Sequence, residues 1–404
     1  MMLETIKTTY PALTQRDFRY FWFGQCISLL GTWMQATAQQ WLVYSLTKSA
    51  LLLGLLGVAQ YGPIMCLSLP AGVFIDRYPK KRLLLFTQVS LMLQAFFMAL
   101  LIWTEQATYE NILMLAFLLG LANTLEQPTR QAMMPELVGR DYIRSAVGLN
   151  SAIVNVARMV GPALAAALMV EYGAGLLFFL NGISFIPVLW GLALIQTRPA
   201  IVQDHTAKVL QEIRAGLMYA RTNRVLLQGL LSMLIVSVFV MNFSMMAPLY
   251  AAEILGEGLD VYGLLLSALG AGSLAAAILA ASRAQGSPSL NVLRGSGLAA
   301  AALLVAGTFL HHVAAAVVLF SLLGFCCILF ITTTLSLVQL HTEDAFRGRV
   351  MSIYSFVFLG ITPVGNLLTG VLMEWAGAAG GLVACGAAAI IGLLLIEWRT
   401  KNKT

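Results

Sequence analysis

The sequence is dominated by long apolar runs, each close to the length that crosses a lipid bilayer. A membrane-spanning helix needs about 20 mainly apolar residues, and this chain supplies such runs in succession, separated by short polar turns. Only 10% of its 404 residues are charged, whereas 59% are hydrophobic, which excludes an ordinary soluble domain. The pattern predicts an all-α integral membrane protein with twelve spans, near residues 18–46, 51–75, 83–104, 110–130, 144–170, 175–196, 225–252, 261–282, 290–310, 313–340, 350–373 and 378–398.

The basic residues give an independent test of the number of spans and of their orientation, because Lys and Arg are retained on the cytoplasmic side. With the N-terminus placed inside, all but two of the 24 basic residues fall in segments predicted to be cytoplasmic. The exceptions are Lys48, in an outer turn, and Arg158, inside a span. We therefore expect a multi-pass protein of the bacterial inner membrane with both termini in the cytoplasm and no cleaved targeting peptide. The net charge of +6 follows from this topology and requires no nucleic-acid partner.

A polar stretch near the middle of the chain divides the spans into two sets of six. The sequence predicts an N-terminal six-helix bundle over residues 1–196, a cytoplasmic linker over 197–224 and a C-terminal six-helix bundle over 225–404. Within the linker, one helical face is apolar, which predicts an amphipathic helix lying on the membrane; a docking site for a partner is the alternative. The residues of that face are Val209, Ile213, Leu217 and Ala220.

The two halves also resemble each other in the same order. Arg144, Asn150, Val160, Gly161 and Leu164 of the first half align with Arg349, Ser355, Val364, Gly365 and Leu368 of the second, across one single-residue gap. Such a direct repeat predicts two pseudo-symmetric bundles related by an axis along the membrane normal.

The loop after the second span combines one carboxylate with a basic cluster. It contains Gly72, Asp76, Arg77, Pro79, Lys80, Lys81 and Arg82. This loop resembles the signature loop of the major facilitator superfamily, although Pro79 stands where the family usually has Gly. The resemblance implies that Asp76 pairs with a neighbouring span or basic residue and latches the cytoplasmic side closed, with Arg130 as a further gating residue. A cytoplasmic basic cluster that includes one Asp by chance is the alternative.

The fifth span carries Asn155, Arg158, Gly161 and Pro162 among small residues. This run resembles the antiporter motif of the same superfamily, although Ala replaces three of its glycines. Small residues allow close helix approach and a Pro next to Gly allows bending. The functional interpretation is therefore a bending point for export at Gly161 and Pro162, and the alternative is plain helix packing.

A closer resemblance, to the exporter branch that contains the enterobactin exporter, extends over residues 16–370. It is carried by Arg16 to Arg19, Gly31 to Gln35, Glu126 to Gln131, Asn155 to Leu164, Arg347 to Ser352, and Pro363 to Asn366. It implies proton-linked export of siderophores or amphipathic drug-like molecules by alternating access, as in drug–proton antiporters. No cofactor or metal is expected, and nothing in the sequence demands more than a monomer in the lipid.

Two charged residues lie inside predicted spans of the first half. Arg158 is roughly 20 Å from the cytoplasmic end of its span, so it is expected to face a cavity or an acidic partner, in a functional or a purely structural ion pair. Glu126 is a candidate for the coupling proton, since desolvated carboxylates titrate nearer neutrality. A local latch from Glu126 to Arg130, four residues later, is the alternative.

Polar stripes at helical spacing follow three further spans. They comprise Gln25, Ser28, Thr32, Gln35 and Gln39 in the first span, Gln228, Ser232, Phe239, Asn242 and Met246 in the seventh, and Phe325, Thr332, Ser336 and Gln339 in the tenth. Together with Asn155 they are candidates to line a substrate cavity, and such a wall suits an amphipathic organic substrate better than a small ion. Interhelical hydrogen bonding alone is the alternative.

Other functions remain open at this stage. An uptake transporter or uniporter of a small organic metabolite would use the same architecture. A membrane enzyme would need a catalytic cluster at depth, and the sequence offers no Cys/His pair, metal-ligand spacing or mid-span carboxylate pair. A channel or scaffold is disfavoured by the two-half organisation and by the Asp76 loop.

Overall fold

The computed structural model describes residues 10–195, 209–282, 288–343 and 346–401, and every regular element in them is helical. Thirteen α-helices follow in chain order. They are α1 (Arg16–Thr47), α2 (Ala50–Arg77), α3 (Lys80–Trp103), α4 (Tyr109–Val138), α5 (Ile143–Leu194), α6 (Val209–Thr222), α7 (Arg224–Phe239), α8 (Phe243–Leu249), α9 (Leu259–Ser282), α10 (Leu290–Gly307), α11 (Val313–Leu340), α12 (Arg347–Ser355) and α13 (Thr362–Lys401). Short 3₁₀ turns cover Pro11–Thr14 and Arg140–Tyr142, and π-turns cover Tyr250–Ile254 and Phe356–Gly360.

Nine helical segments in the described part of the chain are long and apolar enough to cross a membrane. Two of them, of 52 and 54 residues, are far longer than one crossing requires. Each contains one glycine with positive φ, Gly173 at φ 76° and Gly377 at φ 73°. Both glycines lie where the sequence predicts a turn between two spans. Glycine is needed there because a Cβ is disfavoured at positive φ.

Helix α1, 32 residues long, is not among the nine segments. Its length would cross a bilayer, but its glutamines and hydroxyl side chains lower its hydropathy. The polar stripe that predicts a functional face is thus the same feature that weakens its membrane signal.

The described residues form two compact units. The first unit takes in α1 as far as Leu42 and the chain from Cys66 to the end of α5. Its interior contains a cluster of buried apolar side chains contributed by α1, α3, α4 and α5, among them Phe18, Phe21, Leu84, Met133 and Val188. Close packing of these side chains contributes dispersion attraction between the four helices.

The second unit comprises Val43–Met65 and the chain from α6 onward. The segment 43–65 therefore packs with the second half of the sequence. Glu374 of α13 accepts hydrogen bonds from Ser49 Oγ (2.8 Å) and Leu51 N (3.0 Å), so its carboxylate caps the N-terminus of α2. One turn later, Gly54 lies so close to the Asn366 carbonyl that a Cβ there would approach its oxygen to 2.7 Å.

The predicted linker helix is present as α6, and residues 196–208 of the linker lie outside the described residues. Within the second unit, Tyr219 of α6 stacks on Phe346 with ring centroids 4.2 Å apart, and its hydroxyl accepts a hydrogen bond from Glu343 N at 3.1 Å. Leu217 remains 41% exposed and Met218 59% exposed. These contacts fix α6 to the loop before α12 while leaving apolar side chains uncovered.

Candidate functional site

A buried ion pair lies on one turn of α4, in the first unit. Glu126 Oε1 is 3.0 Å from Arg130 Nε, and both side chains are 11% exposed. The same carboxylate oxygen accepts a hydrogen bond from Gln88 Nε2 of α3 at 3.3 Å. Arg130 Nη1 donates in turn to Asn150 Oδ1 of α5 at 3.4 Å. Three helices are therefore joined through one carboxylate and one guanidinium. Breaking such a buried pair from one side is costly, because it leaves an uncompensated charge.

A second polar network connects α1, α3 and α5. Gln35 Nε2 donates to Gln94 Oε1 (3.1 Å), and Gln35 Oε1 accepts from Asn181 Nδ2 (2.7 Å). Asn181 Oδ1 accepts from Ser184 Oγ at 3.1 Å. All four side chains are at most 5% exposed. Gln35 therefore makes hydrogen bonds to two other helices, α3 and α5. Such interhelical bonding is the alternative to a cavity-lining role for the polar stripe of α1.

The other members of the α1 stripe differ in exposure. Gln25, Ser28 and Gln39 are buried, whereas Thr32 is exposed and donates its hydroxyl hydrogen to the Ser28 carbonyl at 2.8 Å. The stripe is thus largely an internal face of the first unit.

Arg158 lies against an aromatic ring of α1. Its guanidinium carbon is 5.1 Å from the centroid of the Trp33 ring, a distance typical of a cation–π contact. Gly161 lies beside the same tryptophan, and a Cβ at Gly161 would approach Trp33 Cβ to 2.7 Å. Close packing of α5 on α1 therefore requires glycine here. The predicted bend at Gly161 and Pro162 stays a prediction, because the residue of α5 with non-helical φ and ψ is Gly173. Asn155 donates to the Ser151 carbonyl of its own helix at 2.8 Å.

The basic loop between α2 and α3 has two anchored lysines. Lys80 pairs with Glu136 of α4, and Lys81 Nζ donates to the Ala193 and Ile195 carbonyls at 3.1 and 2.6 Å. Lys81 therefore lies at the C-terminal end of α5, where a cation is favourable. Gly72, Arg77 and Arg82 are exposed. The side chain of Asp76 lies outside the described part of the structure, so the latch expected of it stays a prediction.

In the second unit, the seventh predicted span is interrupted. The span predicted near 225–252 corresponds to the membrane-length segment Arg224–Ile254. Within it, helix α7 ends at Phe239 and α8 begins at Phe243, which leaves residues 240–242 between them. Asn242, 3% exposed, lies at the break. Its Nδ2 donates to the Val238 carbonyl (2.7 Å) and to Thr369 Oγ1 of α13 (3.0 Å). The side chain thereby satisfies a carbonyl that the broken helix leaves free, which an apolar setting requires.

Four other cavity candidates of the second unit are half-buried, namely Phe239, Phe325, Thr332 and Ser336. Gln228, Ser232 and Met246 are buried, and Gln339 is exposed. Thr332 donates its hydroxyl hydrogen to the Ile328 carbonyl of its own helix at 2.8 Å.

Several residues at these sites were missed by sequence reasoning. Gln88, Gln94 and Asn181 complete the two networks of the first unit, and Thr369 completes the contact of Asn242. A signal was available, because each is a polar residue within an apolar run, and polar side chains inside spans are usually directed to protein or cavity. The polar stripe of α1 predicts Gln35, but it does not predict its partners on α3 and α5, which are Gln94 and Asn181.

The apolar helices of spanning length, with charged and amide networks buried between them, are those of a multi-pass membrane protein, and the family match identifies it as a transporter of the major facilitator type. The chain belongs to the transmembrane secretion effector family of that superfamily, whose sequence profile matches residues 7–403. Members of the family and its relatives are transporters, and the protein is not an enzyme.

Two curated relatives span nearly the whole chain. The staphyloferrin A transporter of Staphylococcus aureus is 25% identical over 359 residues, which cover 88% of this chain and 89% of the relative. Macrolide efflux protein A of Streptococcus pyogenes is 23% identical over 417 residues, covering 91% and 93%. Among solved structures, the nucleoside transporter NupG superposes with a TM-score of 0.77 at 9% identity, covering 95% of this chain and 98% of NupG. At this identity the structural similarity concerns the fold alone.

Proposed function

We propose that the protein is a proton-coupled exporter of siderophores or amphipathic drug-like molecules, acting by alternating access in the bacterial inner membrane. The names of its relatives support this substrate class, since one is a siderophore transporter and another a macrolide efflux protein. The proposed transporting unit is a single chain in contact with lipid.

The proposed topology has twelve spans in two six-helix bundles. Each of the two longest segments is long enough for two crossings, one before and one after its non-helical glycine, Gly173 or Gly377. The nine segments then provide eleven crossings, and α1 provides the twelfth. The distribution of basic residues supports cytoplasmic termini. The proposed bundles are residues 1–196 and 225–404, joined by the linker 197–224.

The observation that carries the proposal is the buried Glu126, paired with Arg130 and hydrogen-bonded to Gln88. The charged carboxylate of Glu126 pairs with Arg130 and accepts a hydrogen bond from Gln88. A protonated carboxyl group at the same position would no longer form an ion pair with Arg130. Uptake of a proton removes the attraction to Arg130, which leaves the guanidinium to Asn150. Glu126 is therefore the proposed coupling residue. Arg130, which contacts both Glu126 and Asn150, would transmit the change in the charge of Glu126 from α4 to α5.

The proposed gate is the cytoplasmic loop with Gly72, Asp76, Arg77 and the basic cluster. The lysine contacts support a role in holding helix ends, because Lys80 connects to α4 and Lys81 to the end of α5. In the second unit the interruption at Asn242 supports substrate contact, since broken helices in transporters commonly lie at binding sites.

The proposal is tested by substrate-driven proton movement in proteoliposomes, with siderophores and macrolides as candidate substrates. Glu126→Gln is expected to abolish proton counterflow, whereas Glu110→Gln is expected to retain it. Glu110 is the control because it is a carboxylate of the same helix, but it is exposed and lies in the first turn, away from the proposed gate. Transport by Glu126→Gln with unchanged proton flux would remove Glu126 from the coupling role, and loss of flux in both variants would point to general damage of α4.

A further inference from the structure

An open apolar groove lies within the first unit, between α2, α3 and α4. Its volume is about 660 Å³, in the range of drug-sized ligand sites. We name it the lateral groove and define it by Leu67 and Phe74 of α2, Phe86, Gln94 and Phe97 of α3, and Leu118 of α4. Phe74, Phe86 and Phe97 are 41%, 66% and 56% exposed. Large apolar side chains exposed on a membrane-spanning helix meet lipid, so the groove opens toward the bilayer.

One polar side chain in the wall of the groove, Gln94, has an amide nitrogen with no hydrogen-bond partner among the described residues. Ser90 and Thr124 also line it, but their hydroxyls donate to the Phe86 and Gly120 carbonyls of their own helices, at 2.9 and 2.8 Å. Gln94 is 5% exposed; its Oε1 accepts from Gln35, while its Nε2 is buried and has no hydrogen-bond partner among the described residues. A buried donor without a partner carries a desolvation cost, which a ligand that supplies an acceptor would relieve.

The depth of Gln94 argues against a phospholipid tail as the group that satisfies this donor. Helix α3 begins at Lys80, and at about 1.5 Å per residue Gln94 lies about 20 Å along the helix from its basic end. The hydrocarbon core is about 30 Å thick, and the ester carbonyls of a phospholipid lie at its boundaries. An acyl chain in the groove would therefore bring no acceptor to Gln94.

We propose that the lateral groove binds an uncharged, largely aromatic or alicyclic molecule of drug size from the bilayer, through a ketone, ester or ether oxygen that accepts a hydrogen bond from Gln94 Nε2. The Gln94–Gln35–Asn181 network joins this site to the polar face of α1. The inference rests on the proposed function in one respect, which is that the bound molecule is a substrate taken from the lipid. Binding to the groove does not itself require transport.

The test is photolabelling of the full-length protein in phosphatidylcholine nanodiscs without a proton gradient. The probe is tritiated 4-benzoylbiphenyl, an uncharged ketone that accepts a hydrogen bond and inserts into neighbouring C–H bonds on illumination. Its hydrocarbon analogue 4-benzylbiphenyl is used as competitor. We expect labelled peptides from α2, α3 and α4, and about tenfold weaker competition by the hydrocarbon than by unlabelled ketone, the loss typical of one hydrogen bond.

Two pairs of variants separate the groove from general lipid contact. Leu118→Trp fills the groove and is expected to abolish labelling, whereas Ile186→Trp, at a similarly exposed position of α5, is expected to retain it; the two native residues are 47% and 51% exposed. Gln94→Leu is expected to equalise ketone and hydrocarbon competition. Gln35→Leu, which breaks the same amide pair but keeps the Gln94 donor, is expected to preserve the ketone preference.

Equal competition by the two compounds in the unmodified protein would overturn the proposal and assign the groove to acyl chains. Labelling that Leu118→Trp leaves unchanged, or that Ile186→Trp also removes, would overturn it as well. A failure of proton coupling is distinguishable from all these outcomes, because it is measured as flux in proteoliposomes and leaves equilibrium labelling unaffected.

Discussion

The two compact units accommodate polar groups inside apolar helices in different ways. The first unit uses side-chain charge, with Glu126 and Arg130 paired in its interior and Arg158 on the ring of Trp33. The second unit uses irregular backbone, with the break at Asn242 and the π-turns Tyr250–Ile254 and Phe356–Gly360. Ionisable side chains buried within membrane spans are typical of proton pathways. Irregular helical turns often mark positions where a helix bends during function. The comparison supports the proposal that coupling involves the first unit and that the second unit contacts the substrate.

The largest effect is expected from Arg130→Leu. Removing the guanidinium leaves the Glu126 carboxylate buried without its cation, which should lower the free energy of unfolding by about 3–5 kcal/mol. The measurement is unfolding of the purified protein in mixed micelles with increasing dodecyl sulfate.

The matched control for this variant is the neutral pair Glu126→Gln with Arg130→Leu, which removes both charges. We expect it to recover most of the lost stability, because no unpaired charge remains. A double variant as unstable as Arg130→Leu alone would show that the guanidinium acts through its contact with Asn150 rather than through the ion pair.

A smaller loss is expected from Asn242→Leu in the second unit. The substitution leaves the Val238 carbonyl and Thr369 without their side-chain partner in an apolar setting, at a cost of about 2 kcal/mol. Asn155→Leu is the control, because among the described residues its amide hydrogen-bonds to the Ser151 carbonyl one turn away, within its own helix. Its cost should stay below about 1 kcal/mol. Equal losses in the same unfolding assay would contradict a special role for the interruption at residues 240–242.

The smallest effect is expected from Lys80→Gln. The Lys80–Glu136 pair is partly exposed, with side-chain exposures of 21% and 39%, so its loss should cost about 0–1 kcal/mol. Added salt, at about 1 M, should remove the difference from the unmodified protein, since screening is effective for exposed charges. The Arg130→Leu loss should persist in the same salt, because a buried pair is screened much less.

Much of the helical layout could be predicted from apolar run length and from the alternation of basic residues. The predicted boundaries near 170–175 and 373–378 coincide with Gly173 and Gly377, since a turn between two spans needs a residue that tolerates positive φ. The break at residues 240–242 could not be predicted this way. It contains no Pro or Gly, and it is stabilised by a contact between Asn242 and Thr369, which are 127 positions apart.

The site was predictable only in part, for a similar reason. Glu126 and Arg130 are four residues apart on one helix, so their pairing follows from helical geometry. The contacts of Gln88 with Glu126 and of Gln94 with Gln35 depend on how α3 packs against α4 and α1. Helical periodicity identifies a polar face but not the helix that it meets.

The corners at Gly173 and Gly377 have a practical consequence for experiments on intact cells. At each corner one glycine interrupts the helical backbone, with φ and ψ of 76° and 171° at the first and 73° and 169° at the second. Proteases and antibodies recognise exposed loop tips, and a one-residue corner offers them almost no extended chain. In the proposed twelve-span topology, protease shaving or epitope mapping would therefore pass over both turns, and a topology map based on these methods would miss the two crossings that meet at each turn.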